Sequence, residues 1–268
     1  MFAGKTIIIT GAGSGIGAAM ARAFVAQGAR VCVADLNEDA AQIVADSLDC
    51  MAVGCDVRSE EQIVDLIDQT EAKLGAVDIF ISNAGLVRAE PSHAASASNS
   101  DWQLNWEVHV MSHVYASRAL LPKMIERGYG HLVNVASAAG LLNQIGDAAY
   151  SATKHAAVSF AESLAITHGD DGIDVSVVCP QYVATPLLEM TDDTIAEGSL
   201  LTADAAAAAI LKGISDKAFL ILPHPQVLEY CKVKGVDHPS WIAGMKGLRR
   251  KFFRETGSGD LKEMHKFV

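Results

Sequence analysis

Tyr150 and Lys154, in the stretch YSATK, stand four residues apart. On a helix such positions stack on one face, which sets a phenol beside an ammonium. That is either an acid–base pair or an ordinary helix surface pair, and spacing alone does not decide. A free tyrosine has a pKa near 10 and is a poor base at neutral pH. Bringing it to about 7 requires roughly 4 kcal/mol of preferential stabilisation of the phenolate. An ammonium one turn away in a partly dry cleft can supply much of that.

A second chemical motif lies near the start. The stretch TGAGSGIG, residues 10–17, follows an apolar run and opens a helical pattern. Gly11, Gly15 and Gly17, with Gly13 as a fourth, allow close backbone approach, and a helix N-terminus offers free amides and a favourable dipole. Ser14 and Ile16 lie within the same loop. This is the context that a pyrophosphate needs. Asp35 ends the run VCVAD, where a carboxylate can accept from both ribose hydroxyls of an adenosine and would repel a 2′-phosphate. The loop offers Ser14 and no basic residue against that repulsion, so NAD is favoured over NADP. Asp56, followed by Val57, could meet the adenine amine or serve as a turn aspartate.

The elements that must hold these groups are legible as alternation. Strand-like runs are expected at 6–10, 30–34, 51–55, 77–82, 131–136, 174–179 and 218–222. Most are β-branched and nearly continuous, as strands covered on both faces should be. Helical patterns separate them. One ends on Gly28, one opens with Ser59 and Gln62 in capping-box spacing, a long one spans about 101–127, and another about 150–168. The alanine-rich stretch 203–210 reads as a helix close to the sheet, and 89–101 as a surface loop. Together these imply a doubly wound parallel sheet with right-handed crossovers.

The ordered set TGAGSGIG, then NAG at 83–85, then Ser137 thirteen residues before Tyr150, then Lys154, resembles the short-chain dehydrogenase/reductase family in its classical form. The match spans roughly residues 4–222. The resemblance implies one α/β Rossmann-type domain with a seven-stranded parallel sheet and NAD(P) across the C-terminal strand ends. It implies that Asn83, Ala84 and Gly85 support a strand end and the cofactor ribose. Pro180, Val183 and Thr185 would grip the nicotinamide carboxamide. Tyr150 would be the general acid/base, Lys154 would also hold the nicotinamide ribose, and Ser137 would hydrogen-bond the substrate oxygen. The reaction implied is NAD-dependent interconversion of a secondary alcohol and a ketone.

Two positions depart from the family pattern. His109, in EVHVMS, stands where the family often has an asparagine that helps hold a relay water. It could preserve the relay, alter the pH profile by titrating, or turn toward packing. Gln181, in CPQYVAT, replaces a common glycine and could narrow the pocket. The substrate lining is expected from Leu141, Leu142, Ile145, Tyr182, Leu187 and Leu188, with Asn143 and Gln144 orienting a polar group. That favours a fairly hydrophobic substrate. His109 also suggests a 3-hydroxyacyl thioester dehydrogenase as the alternative, and a non-catalytic dinucleotide-binding sensor is the reading from another class.

Composition limits the rest. The 268 residues carry a formal net charge of −11, which disfavours nucleic acid and anionic membranes as partners. The five cysteines, none in a Cys-x-x-Cys, read as free thiols of a reducing, cytoplasmic compartment, with no metal site. No run approaches a membrane span or a signal peptide. Residues 1–243 read as the NAD-binding domain, with a substrate loop at about 180–201. Residues 244–268 read as a basic C-terminal extension. His224, between two prolines, could approach the site or be a turn histidine. A homotetramer or dimer is expected by resemblance.

Overall fold

The computed structural model describes residues 2–89, 92–190, 200–257 and 261–268. Its centre is a parallel sheet. The strands β1 (Thr6–Thr10), β2 (Arg30–Asp35), β3 (Met51–Gly54), β4 (Ile79–Ser82), β5 (Gly130–Val135), β6 (Ile173–Val178) and β9 (Leu220–Ile221) lie in the order β3-β2-β1-β4-β5-β6-β9. These are the seven apolar runs read from the sequence, each within two residues at either end. β1, β4 and β5 are buried along their whole length, which is why their sequences do not alternate.

The two-residue period of a strand divides the core. Ile7 and Ile9 point toward α1 (Gly15–Ala26) and α7 (Ala203–Ser215), and pack with Met20, Phe24, Ile210 and Ile214. Ile8 points to the opposite face, where α3 (Glu60–Leu74), α5 (Ser112–Arg127) and α6 (Ala148–His168) contribute Leu66, Leu120 and Leu164. A further helix, α2 (Glu38–Leu48), begins on Asn37, whose side chain accepts from the Ala40 amide. The strand order reverses between β1 and β4, the switch point at whose carboxyl-end side open parallel sheets bind their ligands.

The long helix expected over 101–127 is three pieces. α4 (Asn99–Trp106) starts inside the expected surface loop, capped by Ser98. It passes into a π-helical segment, Glu107–Met111, and then into α5. The π segment adds a residue to the turn and so resets which side chains face α6. His109 sits at its centre.

Beyond the seven-stranded sheet, β7 (Tyr182–Ala184) and β8 (Leu200–Thr202) pair in parallel, and α8 (Gln226–Val236) and α9 (His238–Thr256) precede a 3-10 turn at Leu261–Phe267. α9 runs unbroken across residues 243 and 244. Fully buried Phe252 joins Met264 and Tyr182 in a small separate core. Of the expected substrate loop, residues 191–199 lie outside the described residues. Among the described residues no helix is long and apolar enough to cross a membrane.

Candidate active site

The glycine loop is built from contacts that exclude side chains. A Cβ at Gly17 would fall 2.3 Å from the Gly11 carbonyl oxygen and 2.7 Å from Asn83 Nδ2. Gly11 has φ +63° and would place a Cβ 2.7 Å from Ala84 Cα. The loop is tied to the end of β4. Asn83 Nδ2 donates to the carbonyls of Thr10 (2.9 Å) and Gly11 (3.1 Å), while Thr10 Oγ1 accepts from the amides of Asn83 (3.0 Å) and Ala84 (3.2 Å). Ser14 holds the cap position of α1 in extended conformation, and its side chain does not cap the helix. Gly15 and Ile16 follow at the helix start, and Thr185 closes over Gly15, 3.2 Å from where a Cβ would stand. Asp35 accepts from the amides of Gly13 (2.9 Å) and Asn37 (3.0 Å), which fixes its carboxylate beside the loop. An uncapped helix start, a cradle without side chains and an adjacent carboxylate fit a dinucleotide.

Asp56 is occupied otherwise. It accepts the Arg58 amide at 3.0 Å and the Arg58 side chain at 2.9 Å, which is the turn role read as one of the two. Arg58 holds its carboxyl below the usual range. Val57 is buried in the core, and Val183 and Pro180 lie on the strand-end wall, where the Pro180 carbonyl accepts from the Ala138 amide at 2.8 Å.

The acid–base residues converge. Asp147 caps α6 by accepting the Tyr150 amide at 3.0 Å, which starts the helix so that Tyr150 and Lys154 share a face. Buried Lys154 Nζ donates to the Val135 carbonyl at 3.0 Å and lies 5.6 Å from the Tyr150 ring centroid. Ser137, just past the end of β5, accepts from the Ala139 amide at 3.1 Å and donates to the Pro180 carbonyl at 3.5 Å. The His109 ring meets that of Tyr150 edge-on, with centroids 5.2 Å apart.

Burial pushes the Tyr150 phenol up to about 12, against the opposing pull of Ser137, and pushes the Lys154 ammonium down to about 8. Desolvation drives both groups toward their neutral forms and outweighs their attraction.

His109 is a bracket. Its Nε2 accepts the Leu86 amide at 3.2 Å, which leaves the proton on Nδ1 to meet Thr153 Oγ1 at 3.0 Å. Thr153 in turn donates to the Ala149 carbonyl at 2.9 Å. Desolvation first, then the charge of Lys154, holds the ring neutral far below its ordinary range. The titrating histidine allowed for in the sequence is thus excluded, because both nitrogens are engaged in a buried site. His113, one turn further, was not singled out by any motif. It is buried, neither ring nitrogen has a partner among the described residues, and burial pushes it to about 3.

A chamber of about 290 Å³ opens over Ser137 and Tyr150. Gln144, Gln181, Tyr182, Leu187 and Leu188 line it, as expected. Leu142 and Ile145 line a neighbouring cavity instead. Leu141 lines neither and packs against the core, because the 3-10 turn Ala138–Gly140 points it away. Lining residues missed by the sequence are Val87, Ala89, Asp147 and Lys262, the last ion-paired to Glu189, which also lines the chamber. No motif joins positions so distant in the chain. His224 is a buried turn histidine. Its Nδ1 accepts the Gln181 amide at 3.1 Å and its Nε2 donates to the Tyr182 carbonyl at 3.0 Å.

Residues 5–196 match the family model described as short chain dehydrogenase. Meso-2,3-butanediol dehydrogenase of Serratia marcescens is 35% identical over 231 residues, which cover 82% of this chain and 91% of that one. A short-chain dehydrogenase/reductase of Burkholderia phymatum, solved in complex with NAD, superposes with TM-score 0.80 at 28% identity, covering 89% of this chain and 95% of that one. A 3-ketoacyl-(acyl-carrier-protein) reductase of Brucella melitensis complexed with NADH gives TM-score 0.75 at 31% identity, covering 83% and 96%.

Proposed function

The chain belongs to the short-chain dehydrogenase family, and we propose that it is an NAD-dependent oxidoreductase interconverting an apolar secondary alcohol and its ketone. The observation that carries this reading is that Ser137 and Tyr150 open on one chamber with buried Lys154 Nζ 5.6 Å from the Tyr150 ring, while Asp35 holds a glycine cradle at the end of β1. The nicotinamide, when bound, supplies the hydride acceptor or donor. The protein's own groups do the rest. Ser137 donates to the substrate oxygen as charge develops there. Tyr150 takes the hydroxyl proton in oxidation and returns one in reduction. Lys154, anchored on the Val135 carbonyl, stabilises the phenolate form and is placed to hold a ribose. His109 keeps the segment after Gly85 and the face of α6 in register. Asp35 favours NAD, since its carboxylate opposes a 2′-phosphate.

The apolar preference rests on Leu187, Leu188 and Val87 around the chamber. Absorbance of reduced nicotinamide across a panel of secondary alcohols tests the proposal, with Tyr150→Phe as the control. Turnover by the wild type and a loss of at least a hundredfold in the variant are expected. Equal inertness of both, with NAD still bound, would establish a sensor. Turnover confined to 3-hydroxyacyl thioesters would establish the thioester alternative.

A further inference from the structure

A second cavity, of about 380 Å³, adjoins the catalytic chamber. Both are lined by Ala138, Ala139, Gln144, Gln181 and Tyr182, so only these residues separate them. Ala138 and Ala139 directly follow Ser137, which places the shared wall beside the reacting position. The far side of the cavity comes from α8, α9 and the chain that follows, chiefly Tyr230, Val233, Trp241, Met245, Leu248 and Phe267. These residues lie outside the 5–196 span that the family model matches. No Lys, Arg, His, Asp or Glu side chain lines the cavity among the described residues.

The partition is a built feature. The Gln144 side-chain amide and the Tyr182 hydroxyl hydrogen-bond each other at 3.1 Å. Behind them, His224 pins the backbone of Gln181 and Tyr182, and Gln226 Nε2 donates to Gln181 Oε1 at 3.3 Å. Gln144 Nε2 also donates to the Ile145 carbonyl at 3.4 Å, so the wall is closed by side-chain bonds of two residues, which a passing substrate must part.

We propose that this cavity is a subsite for the distal, uncharged apolar part of the substrate, and that the substrate is a secondary alcohol or ketone at one end of a long hydrocarbon body. This rests on the activity proposed above and adds the substrate class. The catalytic chamber alone is near the lower bound for a small-molecule site, whereas the two chambers together reach the middle of that range. The lining offers a charged tail no side-chain counter-ion, which disfavours one. The reacting end stays at Ser137 and Tyr150, and the tail passes the Gln144–Tyr182 wall.

Chain length is the experimental variable. With 2-alkanols from butanol to tetradecanol, kcat/KM should rise by about fourfold for each methylene that enters the cavity. Gly244 lines the cavity on α9, and a Cβ there meets nothing within 4 Å, so Gly244→Phe starts from an uncrowded position and adds bulk to the lining. It should cut the ratio of dodecanol to butanol turnover at least tenfold. Trp241→Ala, which enlarges the cavity, should move the optimum to longer chains. Opposite shifts in the two variants cannot come from misfolding. A ratio unmoved by both, or a flat profile beyond butanol, would overturn the subsite. If no alcohol were oxidised, the activity would fall, and calorimetric binding of 2-dodecanone would still decide the cavity. Binding weakened in Gly244→Phe sustains it, and equal binding by both proteins ends it.

Discussion

Lys154→Met should make the protein more stable at neutral pH while removing its activity. Burial lowers the Lys154 pKa from its ordinary 10.5 to about 8. A shift of that size means that holding the ammonium in the folded protein costs about 3 kcal/mol at pH 7. The sign follows from proton counting. Between about 8 and 10.5 the unfolded chain binds the Lys154 proton and the folded chain does not, so the Lys154 contribution to wild-type stability rises with pH across that window. Below 8 the cost is complete, and above 10.5 it is absent. Methionine has similar length and no charge, so it escapes the cost but loses the hydrogen bond to the Val135 carbonyl. Part of the gain is cancelled, leaving about 1–2 kcal/mol in favour of the variant at pH 7. At pH 10.5 the order reverses, since the neutral amine keeps its bond. Tyr150 and Cys179, both pushed up to about 12 by burial, stay protonated in the folded state through the window, and their ionisation in the unfolded chain is common to both proteins and cancels in the difference. His109 and His113 stay neutral, so neither confuses the reading. Urea titrations of both proteins at pH 7 and pH 10 measure it. A stability difference that is the same at the two values would refute a buried lysine titrating near 8.

Three further outcomes are expected. His109→Leu leaves the Leu86 amide without its partner, which costs about 1–3 kcal/mol and lowers kcat roughly tenfold. The shape of kcat/KM against pH between 5.5 and 7.5 should not change, because the ring is neutral throughout; a lost limb there would make His109 a titrating group. Gly17→Ala forces a Cβ to 2.3 Å from the Gly11 oxygen, so denaturant midpoints should fall by the equivalent of about 2–3 kcal/mol and NAD titration should show no binding. Asp35→Ser removes the carboxylate facing the expected 2′-phosphate position and should shift the NADP-to-NAD ratio of kcat/KM by roughly a hundredfold, about 3 kcal/mol of like-charge repulsion. An unchanged ratio would remove Asp35 from cofactor choice.

What the sequence disclosed follows from the physics of each element. The seven strands were readable because a strand buried on both faces must be apolar almost throughout, as in TIIIT and VDIFIS. The glycine loop was readable because its steric demands leave no other residue type. The second cavity was not readable. It is assembled from 138–145, 181–182 and 230–268, and each segment alone is an ordinary turn or amphipathic helix. The π segment around His109 was missed because an i→i+5 turn leaves the same apolar spacing over a few residues as an α-helix. Leu141 and Leu142 are adjacent in sequence, yet one packs inward and the other lines a cavity, a choice made by the 3-10 turn before them.

The same burial that raises Tyr150 and lowers Lys154 makes them one titrating unit. Their values lie about four units apart, so moving the proton from phenol to amine costs about 5 kcal/mol before the two charges attract. With Nζ 5.6 Å from the ring centroid, that attraction returns about 3 kcal/mol at an effective dielectric of 20. The phenolate–ammonium form then lies only about 2 kcal/mol above the neutral pair, a few per cent of the population. Losing one proton from the pair therefore creates a usable phenolate at the pH where the lysine titrates, far below the value of the isolated phenol. The oxidative kcat/KM should rise with pH through an apparent pKa near 8 in the wild type. In Lys154→Met no amine remains to release that first proton, and the residual activity should climb only above pH 10, toward the value of the buried phenol. A limb left in place by the substitution would mean that the phenol ionises without the lysine, and the paired titration would have to be abandoned.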